Sequence, residues 1–177
     1  MSARSATAWA PASIGNVGVG FDVLGLAVAG VGDRVRAERT DSPGVDIVEV
    51  TGDKIAADAN QLATEADSNT AGIAARFVWD SAGVGGGLRL WLHKGTPLGS
   101  GMGSSAASAV AGAMAANALL PEPRPHAAVL DAAMAGEAFA SKARHADNVA
   151  PSLFGGLILC PAATLPECWP LPVPPDL

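Results

Sequence analysis

The feature that most constrains this chain is a glycine-rich segment, residues 97–103, that runs directly into an alanine-rich stretch. Glycine occupies every second position from Gly99 to Gly103, so the backbone can turn freely and approach a ligand closely. A stretch with helical character follows from Ser104 to about Leu119. The unpaired N–H groups and positive dipole end of such a helix would face the glycine loop. This arrangement favours an anion site.

The glycine loop matches neither of two common nucleotide-binding motifs. A Walker phosphate loop needs a Lys directly before its final Ser or Thr, whereas Gly103 precedes Ser104. The dinucleotide fingerprint needs its third glycine one position later, with a strand directly before the loop. Two interpretations stay open from these residues alone. The loop is a turn that caps a buried helix, or it is a phosphate site whose serine hydroxyls cap the helix or bind a phosphate-bound metal.

Composition and charge argue against several classes of partner. Of the 177 residues, 49% are hydrophobic, which is ample for the core of one large domain. Lys and Arg number 11 against 17 Asp and Glu, with no basic run, so we expect no nucleic-acid partner. Charged residues, Gly and Pro interrupt the apolar stretches, and we expect no membrane association and a cytoplasmic location. Cys160 and Cys168 lack zinc-site spacing and are expected to be free thiols.

Hydrophobic periodicity predicts an α/β fold in which helices pack against a mixed sheet. Strands are expected at 33–40, 45–50, 87–94 and 153–160, and helices at 69–81, 104–119 and 126–143. The turn-forming residues 41–44 are expected to join the first two strands as a hairpin. His93 and Lys94 end a strand and are expected to be exposed side chains, within reach of an anion at the glycine loop. The proline-rich segment 161–177 is expected to be an extended connector without packing.

Three polar side chains stand at positions that suggest either a local or a ligand-binding role. Asn16 and Asp22 lie in a second glycine-rich segment, residues 14–22, among apolar neighbours. Because buried polar groups need partners, they bond either to their own loop or to a ligand. Asn69 stands directly before an expected helix, where capping is favoured over contact with a ligand.

One carboxylate interrupts an apolar helix face. In the helix expected from His126, the apolar stripe through Leu130 and Met134 continues at Glu137. A buried, unpaired carboxylate is costly. Glu137 therefore lies at the rim of the core, forms an internal ion pair, or binds a hard metal such as Mg²⁺ together with a serine hydroxyl and phosphate oxygens. The spacing leaves all three possibilities open.

A polar cluster of His145, Asp147 and Asn148 precedes the last expected strand. A Ser/His/Asp triad can be drawn from such residues. No serine lies on a nucleophile elbow of the G-x-S-x-G kind, however, so a hydrolase is not favoured.

Three segments together resemble the homoserine kinase family. They are residues 11–25 (PASIGNVGVGFDVLG), residues 97–108 (PLGSGMGSSAAS) and residues 145–151 (HADNVAP), the last followed by Gly155 and Gly156. This family belongs to the GHMP kinase superfamily, with galactokinase, mevalonate kinase and phosphomevalonate kinase. The resemblance runs from about Ala8 to Leu159. The serine-glycine loop is typical of the whole superfamily, whereas the other two segments point to the homoserine branch.

The resemblance implies ATP-dependent phosphorylation of the homoserine hydroxyl on the way to threonine. It implies that Ser105 and Glu137 hold Mg²⁺. Asn16, Asp22, His145 and Asn148 would line the homoserine site, with Asp22 beside the ammonium group and Asn148 orienting the acceptor as a catalytic residue. The implied nucleotide-binding residues are Pro97, Leu98, Gly99, Ser100, Gly101, Met102, Gly103, Ser104, Ser105, Ala106 and Ala107, with Asn69 near the base.

The resemblance also implies an architecture. Residues 1–160 would form the N-terminal, ATP-binding domain, similar to the second domain of ribosomal protein S5 and containing a left-handed β-α-β crossover. Residues 161–177 would lead towards the family's C-terminal domain, which is expected to be absent here, and a homodimer is one expected assembly. Two other functions stay open: another small-molecule kinase of the superfamily, acting on mevalonate or a sugar, and a truncated nucleotide-binding module without catalysis.

Overall fold

One long strand, β2 (Leu24–Thr40), organises the sheet of this computed structural model, which describes residues 3–52 and 63–173. β1 (Ser5–Ile14) pairs with β2 in antiparallel orientation. β4 (Gly87–Lys94) and β5 (Leu157–Leu159) pair antiparallel with two different stretches of β2. β3 (Gly44–Gly52) lies parallel to β4, and β6 (Trp169–Leu171) lies antiparallel to β5. The described residues thus form a six-stranded, mostly antiparallel sheet.

Four α-helices accompany this sheet in the described residues. They are α1 (Thr70–Ala82), α2 (Ser104–Asn117), α3 (His126–Ser141) and α4 (Val149–Phe154), with short 3₁₀ turns at Ala66–Ser68 and Ala162–Thr164. α2 packs on β1 and β2 and also contacts α1 and α3. It carries no charged residue and is buried on nearly all sides, as expected of a helix that is apolar all round. None of these helices has the length and hydropathy needed to span a membrane.

The core lies between the helices and one face of the sheet. Leu88, Leu90 and Leu92 of β4 are buried together with Val35 and Ala37 of β2. The alternate positions of both strands face away from the helices. The sequence alternation therefore predicts correctly which face of each strand is buried, because successive side chains point to opposite faces of a sheet. The expected α/β class, with helices packed against a mixed sheet, is confirmed.

The predicted hairpin around residues 41–44 is wrong. β3 does not pair with β2, because β4 occupies the place beside β2 and β3 lies on the far side of β4. β3, α1 and β4 therefore form a parallel β-α-β unit. Both pairings bury the same face of β3, so alternation alone does not choose between them. The left-handed crossover stays a prediction.

The C-terminal part of the described chain differs from the expected strand and connector. The strand expected at 153–160 is shortened to β5, because its first two residues belong to α4. Part of the proline-rich segment is ordered against the sheet as β6, so it is not wholly unpacked. A short antiparallel edge strand tolerates Pro170, because its missing N–H can face solvent. Cys160 and Cys168 are both free thiols, as predicted, and burial raises the pKa of Cys160 to about 12.

Gly25 allows β2 to pass in close contact with the segment that carries Asp147. A Cβ atom at Gly25 would lie 1.6 Å from the carbonyl oxygen of Asp147 and 2.9 Å from a side-chain carbon of Pro151. Backbone cannot give way as a flexible side chain can. Gly25 is therefore required for the approach of residues 145–148 to the sheet.

We expect Gly25→Ala to destabilise the fold by about 3 kcal/mol, because the added methyl group forces two backbone segments apart. Urea unfolding followed by circular dichroism measures this loss. Gly85→Ala is the matched control, since nothing lies within 4 Å of a Cβ at that position, and it should change stability by less than about 0.5 kcal/mol. Equal stability of the two variants would contradict the close contact.

Candidate functional site

The glycine loop and the first turn of α2 form one wall of an open cleft of about 510 Å³. Gly99, Gly101 and Gly103 all have positive φ, between 58° and 72°, which is the region that glycine adopts without strain. Gly103 is the N-cap residue of α2. The loop therefore ends with the N–H groups and positive dipole end of α2 beside the cleft, as an anion site requires.

Two hydrogen bonds within the protein stabilise the conformation of the glycine loop. The Ser100 hydroxyl donates to the carbonyl oxygen of Pro97 at 2.8 Å. The carbonyl oxygen of Met102 accepts from the backbone N–H of Ser13 at 3.0 Å, which ties the loop to the end of β1. These contacts set the shape of the loop without using a ligand.

A buried ion pair between Asp33 and Lys94 lies beneath the first turn of α2. The two side chains are 0% and 3% exposed and form a salt bridge across β2 and β4. Lys94 Nζ also donates to the carbonyl oxygen of Ser104 and to the hydroxyl of Ser108, both at 2.8 Å. Burial lowers the pKa of Lys94, and the Asp33 charge opposes that shift. The three N–H donors of Lys94 thus have three acceptors within the protein.

Asp33 is equally well satisfied. One oxygen, Oδ1, accepts from the backbone N–H groups of Gly95 and Thr96 at 3.1 and 3.0 Å. The other, Oδ2, accepts from the Ser108 hydroxyl at 2.6 Å as well as from Lys94. Asp33 and Lys94 together therefore connect β2, the strand end before the glycine loop, and α2.

The expectation that Lys94 is exposed is wrong, and the sequence contained a signal for its burial. Lys94 has the same strand parity as the buried Leu92, and Asp33 has the same parity as the buried Val35. Arg34 pairs with His93 in the antiparallel register, so Asp33 and Lys94 stand opposite each other. Opposite charges on two buried strand faces indicate an internal ion pair.

Glu137 enters the cleft from α3 and is 9% exposed. Burial raises the pKa of the Glu137 carboxyl, and the Asp147 charge raises it further. A hydrogen bond from the Ser105 side chain and the charge of Lys94 oppose this shift. Oε2 of Glu137 is buried and has no hydrogen-bond partner within the described part of the chain.

This orphaned oxygen fits a divalent cation. A buried carboxylate oxygen without a donor costs free energy unless a proton or cation meets it. Ser105 places a hydroxyl oxygen beside the same carboxylate. Mg²⁺ is commonly held by one or two protein oxygens together with phosphate oxygens and water, and not by a complete protein cage. Accordingly, the described residues contain no cluster of three or more His, Cys, Asp or Glu side chains suited to a metal.

The loop that carries Asn16 and Asp22 does not line the cleft but contacts the segment that carries Asp147 and Asn148. Both residues have positive φ, 57° and 60°. Oδ1 of Asn16 accepts from the backbone N–H of Asp22 at 3.0 Å, so Asn16 closes its own loop. Its backbone N–H donates to Oδ2 of Asp147, also at 3.0 Å. The side-chain oxygen of Asn16 therefore bonds within its own loop, which is one of the two roles expected from the sequence. This contact positions Asp22.

Two further predicted residues, His145 and Asn148, lie close to this loop. Nδ1 of His145 is 3.6 Å from Oδ1 of Asp22, and both side chains are partly exposed. Asn148 lines the cleft together with Glu137. The structure thus brings Asn148 and Glu137 beside the glycine loop, although these residues lie far apart in the sequence.

Asp147 is a site residue that the sequence reasoning did not select. It is 3% exposed. Burial raises the pKa of its carboxyl, the N–H of Asn16 opposes the shift, and the charge of Asp22 adds to it. Its place beside Asn148 in the polar cluster of residues 145–148 was the available signal.

Asn69 caps α1, as the sequence favoured. Its Oδ1 accepts from the backbone N–H of Ala71 at 3.0 Å, and its Nδ2 donates to the carbonyl oxygen of Ala63 at 2.9 Å. The side chain also lines the cleft. Both ends of the amide are therefore already engaged in the protein.

Comparison with known proteins agrees with this geometry. A family model described as the GHMP kinases N terminal domain matches residues 69–156, which include the glycine loop, Glu137 and Asn148. Residues 69–156 belong to the GHMP kinase family. The matched GHMP kinase domain begins at the N-cap of α1 and ends directly before β5.

Relatives of this chain include homoserine kinases. That of Xanthomonas campestris is 46% identical over 171 residues, which are 97% of this chain and 51% of the relative. A crystal structure of homoserine kinase from Cytophaga hutchinsonii superposes with a TM-score of 0.87 at 41% identity and covers 97% of this chain and 53% of that one. The mevalonate kinase of Methanococcus jannaschii, at 10% identity and a TM-score of 0.70, shares the fold. The chain spans about half the length of the curated relatives it matches.

We expect Glu137→Gln to become more stable relative to wild type as pH rises. The folded-state pKa of Glu137 lies above its ordinary value of 4.5, so the folded state binds the extra proton and loses stability as that proton leaves. Below about pH 4.5 the two proteins should differ little, and the gap should widen up to the raised pKa. Thermal unfolding between pH 4 and pH 8 measures this difference in stability between the variant and wild type. The exposed Glu122→Gln is the control, and the same trend in both variants would contradict the assignment.

We expect Lys94→Met to cost about 3–5 kcal/mol of unfolding free energy, because it leaves the Asp33 carboxylate buried and unpaired. Arg76→Met is the matched control, since Arg76 pairs with Asp67 at the surface and should change stability by less than about 1 kcal/mol. Urea unfolding at pH 7 compares the two. Similar losses of unfolding free energy in both variants would contradict a larger contribution of the buried pair to stability.

Proposed function

We propose that this chain is the ATP-binding part of a homoserine kinase and takes part in phosphorylation of L-homoserine to O-phospho-L-homoserine. The single observation that carries the proposal is the orphaned oxygen of Glu137, which lies beside Ser105 at the start of α2. A buried carboxylate oxygen without a donor beside the glycine loop suits a cation that accompanies phosphates. The identity with homoserine kinases supports homoserine as the acceptor.

The residues from Pro97 to Ala107 would bind the triphosphate of ATP. The positive φ values of the loop glycines bring backbone close to the phosphates, and the first-turn N–H groups of α2 supply donors. Ser105 and Glu137 would hold Mg²⁺, which neutralises phosphate charge when bound. Asn69 would lie near the base, with its amide already fixed by the cap of α1.

The acceptor would bind beside Asn148, at the other end of the cleft. Asp22 would pair with the homoserine ammonium group, and Asn16 holds the loop that presents it. His145 would contribute a polar contact near Asp22. A negative carboxylate and a ring nitrogen on exposed loops suit a small zwitterionic substrate.

In the transfer step, the homoserine hydroxyl oxygen would form a bond to the γ-phosphorus while the bond from that phosphorus to the β,γ-bridging oxygen breaks. ADP leaves with the bridging oxygen and the electron pair of the broken bond, and the hydroxyl proton passes to solvent water. Asn148 orients the acceptor but cannot act as a base, because an amide has no suitable pKa. Phosphoryl transfer depends mainly on alignment and charge stabilisation, which the loop, α2 and Asn148 can supply.

The proposal has consequences beyond the site. It places the reaction in threonine biosynthesis and in the cytoplasm, and a homodimer stays a prediction. It also assigns residues 1–160 to the ATP-binding domain, with residues 161–177 leading towards the second half that the relatives possess.

A phosphotransfer assay tests the acceptor. Homoserine, mevalonate and galactose are each incubated with Mg-ATP and the chain, alone and with the second half of the Xanthomonas campestris homoserine kinase added. We expect phosphate transfer to homoserine and not to the other two. Transfer to mevalonate or galactose would identify another GHMP kinase, whereas ATP binding without transfer in either mixture would identify a nucleotide-binding module.

We expect Ser105→Ala and Glu137→Gln to lower kcat by about 100-fold, since each removes charge stabilisation at the phosphates. His145→Ala should lower kcat by less than about tenfold, because His145 contacts only the acceptor end. Steady-state rates at saturating ATP and homoserine measure the difference. Equal losses at all three positions would contradict these roles.

A further inference from the structure

Ser13, at the end of β1, lies between the glycine loop and the acceptor-side amide. Its backbone N–H donates to the carbonyl oxygen of Met102 at 3.0 Å. Its hydroxyl donates to Oδ1 of Asn148, also at 3.0 Å. The residue is 0% exposed. One buried serine therefore joins the phosphate side of the site to the acceptor side.

Asn148 occupies the N-cap position of α4 but does not cap that helix. An Asn at this position commonly accepts a hydrogen bond from the first turn of its own helix. Here Oδ1 accepts from Ser13, which lies 135 positions away in the sequence. Nδ2 of Asn148 donates to none of the residues that the structure describes. The carboxamide is thus oriented from β1 and keeps its two N–H donors available.

Two glycines leave space for this carboxamide. A Cβ atom at Gly103 would lie 2.2 Å from the Ser13 hydroxyl oxygen and 2.8 Å from Oδ1 of Asn148. A Cβ at Gly15 would lie 2.5 Å from Nδ2 of Asn148. The amide therefore lies between the two glycine loops, with its oxygen towards Gly103 and its nitrogen towards Gly15. The packing leaves little room for another arrangement of the side chain.

We propose that Ser13 is a positioning residue that orients the Asn148 carboxamide so that it presents N–H donors, and not its carbonyl oxygen, to the acceptor oxygen. This inference rests on the function proposed above. Because Ser13 bonds Oδ1 and holds it against Gly103, the atom with unused hydrogen-bonding capacity on the side of Gly15 is Nδ2, which only donates. A donor stabilises negative charge that develops on oxygen, and it cannot take the hydroxyl proton.

A side-chain NMR experiment tests the orientation without any need for activity. In the ¹⁵N-labelled chain, the Asn148 amide pair is identified by its absence in Asn148→Ala. We expect Ser13→Ala to shift and broaden this pair, because its hydrogen-bond donor is gone. Ser152→Ala is the matched control, since Ser152 is also buried but its hydroxyl donates to the carbonyl oxygen of Pro11 at 2.7 Å. Unchanged Asn148 resonances in Ser13→Ala would overturn the inference.

A double-mutant cycle tests the functional consequence. Ser13→Ala should lower kcat about fivefold, as expected for the loss of one neutral hydrogen bond, with KM for ATP unchanged. In an Asn148→Ala background, Ser13→Ala should cause no further loss of kcat. Ser152→Ala should leave kcat unchanged even where it lowers the melting temperature. Effects of Ser13→Ala and Asn148→Ala that multiply would overturn the inference, since Ser13 would then act independently.

The two proposals fail in different ways. A wild-type chain that transfers no phosphate to homoserine, alone or with the second half of the relative, contradicts the proposed function. The NMR experiment then still decides whether Ser13 orients Asn148. Active wild type with no response to Ser13→Ala contradicts only the role of Ser13.

Discussion

The buried ion pair of Asp33 and Lys94 determines where the glycine loop meets the start of α2. Two charges removed from water are tolerated only if nearly every lone pair and proton finds a partner. Here the partners come from β2, from the backbone after β4, and from the first and fifth residues of α2. The geometry that satisfies the charges is therefore the same geometry that places the start of α2 beside the glycine loop.

Two other buried carboxylates, Glu137 in the cleft and Asp147 beside it, are less well satisfied than Asp33. Burial raises the pKa of both Glu137 and Asp147, so each destabilises the folded chain when it is ionised. Unfavourable burial of ionisable groups is common at binding sites, where a ligand supplies the missing partner. In this chain the orphaned oxygen of Glu137 has the clearest need of one. Burial of these two carboxylates therefore makes the folded chain less stable than the packing around the site would make it by itself.

Close backbone approach brings the two ends of the site together. Gly15, Gly25 and Gly103 each stand where a Cβ would collide with residues 145–148 or with Ser13. The segments involved come from the beginning, the middle and the end of the described chain. Loop flexibility is thus only one use of glycine here, and the second use is to let three distant segments share one small volume.

Local pattern in the sequence determined the strand faces, the three long helices and the glycine loop before α2, because periodicity and turn chemistry act over short distances. It also marked Glu137, whose charge breaks an apolar stripe. Only the tertiary structure decided that β3 pairs with β4, that Lys94 is buried against Asp33, and that Ser13 holds Asn148. Each of these depends on strand order and register, which join residues far apart in the chain and which local pattern leaves open.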